Sequence, residues 1–279
     1  MQRTAQRVVI ALLLVNAIVR VWLIATDWNF QDVDAYWDAA MRLRHGEALY
    51  PIGLDPDNYR VFRYAPWFAW MWVPLTYLPR TIVDIAWAVV LAAASASILA
   101  GLARLRSTAG WALALLMTPW LLSLVQVGNI QPLVVASLAY GVSRRSGPVW
   151  IAINASLKAV PILWTLVCVA RRQWGLVAIT GVLTLVLSAP FLLYDLAGYM
   201  TDPGRSGASL YYYLGPQAWA VGALVTGAVA AWLAWRRSRW LWPAIALAVM
   251  AITPRSHITY ATYLVIGVLQ PLRDRLHEG

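Results

Sequence analysis

The chain is poor in nearly everything a soluble enzyme displays on its surface. Only 12% of its 279 residues are charged and 61% are apolar, whereas an ordinary globular domain has about 25% charged and roughly 45–50% apolar. So little polar surface cannot clothe a water-soluble globule, which excludes soluble enzymes and nucleic-acid modules alike. With a single cysteine, Cys168, there is no internal disulfide to form. There is also one lysine, Lys158, and only three histidines. No HxxxH or HExxH spacing occurs, so a metal hydrolase has no foothold. Neither G-x-S-x-G nor G-x-x-x-x-G-K-[ST] is present, so serine hydrolase and nucleotidase chemistry have none either. Internal repeats of the kind that mark many secondary transporters are not evident.

What is present is hydrophobic length. Apolar runs lie at about 8–26, 65–79, 81–103, 110–127, 130–142, 149–170, 174–194, 217–235, 240–253 and 258–270. A spanning helix takes about 20 apolar residues. The expected fold is therefore an all-α polytopic membrane protein, a single integral membrane domain over 1–279 with about ten transmembrane or re-entrant helices. The runs at 130–142 and 258–270 are short for a full crossing, so some segments are expected to be re-entrant or broken. The first run follows Arg3 and Arg7 and lacks a small-x-small cleavage site, so it reads as a retained anchor.

The net charge is +10, and 21 of the 22 basic residues are arginines, mostly clustered between apolar runs. Such clusters mark the cytoplasmic side. If ten segments each cross once, Arg3, Arg7, Arg171, Arg172, Arg236, Arg237, Arg239, Arg273 and Arg275 fall together, with both termini cytoplasmic. Arg104, Arg106, Arg144 and Arg145 then fall on the wrong side. Residues 27–64, 195–216 and 254–257 are outside in either scheme, so a multi-pass plasma-membrane protein with its site on the outer face is expected. Many of the 17 tryptophans, among them Trp174, Trp235 and Trp240, sit at run ends, where rings anchor in the headgroup region.

Seven of the twelve acidic residues lie between Asp27 and Asp57, which makes 27–64 a chemically distinct outer loop. After Asp32, the positions Val33, Trp37, Ala40, Met41 and Arg44 follow helical spacing and predict a short amphipathic surface helix closed by Gly46. Asp32 reads as the N-cap of that helix, as a general base, or as both. With Asp34 it also forms a D-x-D pair, which can hold a divalent metal on a sugar diphosphate.

The run Asp32-Val33-Asp34-Ala35-Tyr36-Trp37-Asp38-Ala39-Ala40, followed by Gly46, Tyr50 and then Phe62-Arg63-Tyr64-Ala65-Pro66, resembles glycosyltransferase family 87. Those enzymes belong to the polytopic GT-C superfamily and use polyprenyl-phosphate sugars. Gly128-Asn129-Ile130-Gln131 resembles the family's G-Q-x-N with its amides exchanged. Lys158-Ala159-Val160-Pro161 resembles K-P-x-P with its first proline replaced, and Thr253 to His257 loosely resembles a late S-P-x-x-W-x-H stretch. The resemblance covers most of the chain and is strongest over 32–66. It implies a GT-C-like fold, Asp32 as catalytic base with Asp34 as the second candidate, and Tyr36, Arg63, Tyr64 and His257 at the substrate. The chain is short for that family.

Lys158 lies ten residues into the run 149–170, with Asn154 one turn before it and Pro161 after it. An intramembrane cation usually faces the protein interior and is a candidate for function, so a broken helix with Lys158 reaching a wet cavity is expected, its charge meeting a lipid phosphate, with a structural ion pair or snorkelling toward the headgroups as the competing readings. Arg255, and Arg205 beside Tyr211, Tyr212 and Tyr213, are placed to meet the same phosphate at the outer boundary. The expected activity is an inverting transfer of mannose or arabinofuranose from a polyprenyl-phosphate donor to a lipid or glycan acceptor, with no metal or cofactor and no nucleic-acid partner. The competing classes are a lipid-sugar flippase or transporter, and a truncated partner subunit of a glycosyltransferase.

Overall fold

The computed structural model describes residues 29–105, 108–199 and 209–269, together with isolated helical positions between 7 and 26. Among the described residues the chain forms α- and 3-10 helices and no strand. Helix α1 is Gln31–His45; α2, Pro66–Trp72, runs into a 3-10 turn at Val73–Tyr77; α3 is Arg80–Ala103, α4 Thr108–Gln126, α5 Gln131–Gly141 and α6 Gly147–Lys158. A 3-10 turn, Val160–Thr165, leads into α7, Leu166–Ala170. Then come α8, Trp174–Ser188, with a 3-10 extension Ala189–Leu193, α9, Leu210–Trp235, α10, Leu241–Ile252, and a 3-10 turn Ile258–Tyr263.

Among the described residues four helices are long and apolar enough to cross a membrane: Arg80–Ala103, Thr108–Gln126, Trp174–Leu193 and Leu210–Trp235. Their outward faces stay apolar, with Ile82, Ile85 and Val89 on α3, Ile179, Val182 and Leu185 on α8, and Val221, Leu224 and Val225 on α9 all exposed. In water those faces would drive aggregation, whereas lipid covers them without loss because helices satisfy their own backbone. Gly215, at φ 80°, interrupts α9, so its unbroken stretch starts at Pro216.

The remaining apolar runs are shorter or broken, for visible reasons. The run 149–170 breaks after Lys158, where Ala159 takes φ 53° and ψ −59°. That is the strained γ-turn region for a residue with a Cβ. Ala159→Gly removes the strain and is expected to stabilise the protein by about 1 kcal/mol, read by thermal unfolding in detergent. The run 65–79 forms no helix of spanning length, only α2 and its 3-10 turn. It starts beside Tyr36, where the Tyr36 hydroxyl lies 3.3 Å from that of Tyr64, passes Arg44, which donates to the Thr76 carbonyl, and ends with Arg80 on Asp34, back at the level where it began.

This excursion reverses the direction expected for every helix up to the break at Ala159. Tyr140 Oη donates to the Ser97 carbonyl, Leu269 packs at Gly101, and Arg172 reaches the Trp235 carbonyl. The loops bearing Arg104, Arg144, Arg145, Arg171, Arg172, Arg236, Arg237 and Arg239 therefore gather at one end of the bundle. Trp174, Trp235 and Trp240 are exposed there, with the Arg172 guanidinium 4.0 Å over the Trp235 ring. Arg104, Arg144 and Arg145, which sequence parity separates from the other clusters, thus belong with them, while Arg106, Arg273 and Arg275 lie outside the described residues. The opposite end collects α1, α2, the α4–α5 turn, residues 194–199 and residues 253–258.

Candidate active site

Helix α1 lies across that second end. Gly46, at φ 73°, closes it as expected, but its buried face is Val33, Ala35, Tyr36, Ala39 and Ala40, with Trp37 only half-buried. Asp32 is not the cap. Phe30 occupies the N-cap position and no side chain caps the helix. Asp32 sits one residue inside, its N–H donating to the Val127 carbonyl at 2.8 Å, and its carboxylate turns toward the α4–α5 turn. There Asn129 Nδ2 donates to Asp32 Oδ2 at 2.5 Å.

Asp34 points elsewhere, since residues two apart on a helix are separated by about 200°. Arg80 donates to it at 2.8 Å and Arg60 lies at 4.0 Å, while Arg80 also holds Asp84 at 2.7 Å. The D-x-D carboxylates do not converge. Asp34 fastens α1 to α3.

Three cations from three other parts of the chain surround Asp32. Lys158, at the end of α6, donates to Gln131 Oε1 at 2.9 Å and to Tyr260 Oη at 3.3 Å, and lies 4.9 Å over the Tyr260 ring. Those partners are neutral, and among the described residues no ion pair involves Lys158. Arg63 and Arg255 both donate to the Pro56 carbonyl, at 2.5 and 2.6 Å, and Arg255 also lies 3.9 Å from Asp57. Burial, then Arg255, push the Arg63 guanidinium down to about 10, so it is still charged at neutral pH. Burial raises the Asp32 carboxyl above its usual value, opposed by the Asn129 hydrogen bond and by the charges of Lys158, Arg63 and Arg255. His257 stands at the exposed rim, held low by desolvation and by the charges of Arg255, Lys158 and Arg63, which favours neutral imidazole.

Two further expected residues lie beneath. Tyr36 is fully buried among Tyr64, Phe68, Trp72 and Trp87, accepts from the Ile130 N–H and shares a hydroxyl contact with Tyr64. Tyr64 is half-buried, 5.9 Å below Lys158. Asp32, Arg63, Tyr64, Lys158, Arg255 and His257 are thus brought together, with Tyr36 as the floor. Arg205 lies outside the described residues.

Sequence reasoning noted the Gly128-Asn129-Ile130-Gln131 segment without a role. Structurally it is the hinge of the site, with Asn129 on Asp32 and Gln131 on Lys158. Gly128 takes φ 73°, and a Cβ there would fall 2.2 Å from Val33 Cγ2. Gly128→Ala is expected to cost about 2 kcal/mol or more and to unseat α1, with Gly128→Ala/Val33→Ala recovering part of the loss in the same unfolding assay.

The structure also holds a cavity of about 450 Å³ with almost wholly apolar walls, lined by Trp67, Trp72, Ile130, Leu133, Trp150 and Leu157 among others. Phe68, Trp72 and Trp87, the rings packed around Tyr36, all line it, so the cavity shares its walls with the floor of the site. No family model matches this chain, and no curated protein or solved structure does either.

Proposed function

We propose that the protein is an inverting glycosyltransferase that moves mannose or arabinofuranose from a polyprenyl monophosphate to a hydroxyl of a lipid or glycan acceptor. One observation carries the reading. A carboxylate, Asp32, is held among Lys158, Arg63 and Arg255, with Asp57 beside Arg255, over the Tyr36 floor whose ring partners Phe68, Trp72 and Trp87 line an apolar cavity. A cation cluster beside one base suits a phosphate that leaves while a hydroxyl is deprotonated, and the apolar cavity suits an isoprenoid tail.

The chemistry balances with these groups. The acceptor oxygen attacks the anomeric carbon as its proton passes to Asp32. The bond from that carbon to the phosphate oxygen breaks, and polyprenyl phosphate departs with one more negative charge, stabilised by Lys158 and Arg255. Attack opposite the leaving group inverts the anomeric centre. Tyr64 and His257 border the sugar, and Tyr36 positions the floor beneath them.

The side of the membrane supports the same donor. Eight described arginines lie at the end opposite the site, which argues for a cytoplasmic face there and an outward-facing site. Nucleotide sugars are cytoplasmic, so an outward site needs a lipid-carried donor. Ten crossings follow if the first apolar run, the runs 131–141, 147–158, 160–170, 241–252 and 258–269, and the four long helices each traverse. Cysteines placed at Asp55 and Ser238 are expected to react from opposite sides of intact cells, position 55 from outside; Cys168 is buried and gives no background. Membrane fractions given radiolabelled polyprenyl-phosphate mannose or arabinose test the activity directly. Label is expected on a lipid or glycan from one of them, and none from either would refute the reading.

A further inference from the structure

We infer that the turn between α4 and α5 is a two-armed positioning element, Asn129 setting the proton-accepting geometry of Asp32 and Gln131 aiming Lys158 at the phosphate; the inference rests on the transferase reading above. The turn is itself fixed. Gly128 and Asn129 N–H groups donate back to the Val125 and Leu124 carbonyls, and Trp87 Nε1 donates to the Gly128 carbonyl at 2.9 Å. Three bonds stitch it to α1: Asp32 N–H to Val127, Ile130 N–H to the Tyr36 hydroxyl, and the Asn129 amide to Asp32.

The Asn129 amide has only one workable orientation. Its Oδ1 accepts the Gln131 N–H at 2.8 Å, which leaves Nδ2 to face Asp32. An amide N–H on Oδ2 favours the ionised carboxylate and leaves Oδ1 as the atom that takes the acceptor's proton. Gln131 is fully buried, and its Oε1 accepts from Lys158 without neutralising it. A carboxylate in its place would cancel the charge that the phosphate needs. Because the two arms are two residues apart on one rigid turn, the base and the phosphate-facing cation are held at a fixed separation.

The two arms make different kinetic predictions, which a merely structural turn would not. The groups facing Asp32 are Asn129, Lys158, Arg63 and Arg255, with Tyr36 and Tyr64 nearby. Asn129→Leu keeps volume and removes the donor, so kcat at neutral pH is expected to fall about tenfold or more with donor KM within about twofold. The acidic limb of the rate profile should move up by about one unit. Gln131→Leu is expected instead to raise donor KM about tenfold and to leave that limb in place.

A second readout needs no substrate. Carbodiimide modification of Asp32 in the reconstituted full-length protein, followed by peptide mass spectrometry against pH, gives the protonation midpoint. The midpoint should rise in Asn129→Leu, rise further in Asn129→Asp, which keeps the side-chain shape, and stay unchanged in Gln131→Leu. If both leucine variants lower kcat and raise KM alike and neither midpoint moves, the positioning inference is overturned. If wild-type protein transfers no sugar while the midpoints shift as stated, the arms stand and the transferase reading fails.

Discussion

Lys158→Met raises donor KM by about 10- to 100-fold and leaves the fold intact. Methionine matches the length and apolar stem of lysine, so the change isolates the charge. A charge-assisted hydrogen bond is worth roughly 1.5–3 kcal/mol, which converts to that range. The effect is expected to be large because Lys158 is held by two neutral oxygens, those of Gln131 and Tyr260. Among the described residues its charge is thus spent on no carboxylate ion pair. Lys158→Arg keeps the charge but exchanges a point donor for a wide fork, and a partial recovery is expected. Initial rates against donor concentration in proteoliposomes, with melting temperature measured in parallel, check both. Unchanged KM together with unchanged kcat in the Met variant would leave Lys158 a structural cation.

Asp32→Asn lowers the rate of transfer by about 10² to 10⁴, equivalent to roughly 3 to 5 kcal/mol of barrier. Since Asp32 is not the cap of α1, the substitution spares the start of that helix. The asparagine oxygen still accepts from Asn129, so the hydrogen bond at 2.5 Å has a replacement while the proton acceptor has none. Donor binding is therefore expected to persist as turnover is lost. Asp34→Asn gives the contrasting result. It weakens a part-exposed ion pair with Arg80, costing about 1 kcal/mol or less, and rates should change little. Loss of turnover in Asp34→Asn with normal rates in Asp32→Asn would move the base.

Lys158 and Asp32 stood out in the sequence because they broke a compositional rule, a lone lysine inside an apolar run and carboxylates concentrated in one loop, whereas Tyr36, Arg63, Tyr64 and His257 were singled out by the family resemblance. The partners of Lys158 and Asp32 did not stand out. Asn129 and Gln131 are uncharged and sit between two apolar helices, and nothing in their spacing says that one meets a residue 97 positions away and the other a residue 27 positions away. Asp32 and Asp34 look equivalent along the chain. Only the packing of α1 against the α4–α5 turn on one side and Arg80 on the other separates them. The helical character was equally plain from composition, whereas the path was not. Residues 65–79 are as apolar as a crossing, and it is contacts with Tyr36, Arg44 and Asp34 that turn them back. Counting apolar runs cannot detect such a return, though Arg104, Arg144 and Arg145, which it misplaced, were the trace it left.

The most direct test follows donor and product together in proteoliposomes carrying wild-type protein, a doubly labelled polyprenyl-phosphate sugar and an acceptor hydroxyl. Sugar gained by the acceptor and polyprenyl phosphate released should rise one for one, with the product's anomeric configuration inverted, and both should stop in Asp32→Asn although donor still binds. Passage of the intact donor across the bilayer without phosphate release, equally fast in wild type and Asp32→Asn, would contradict the account and make the protein a carrier.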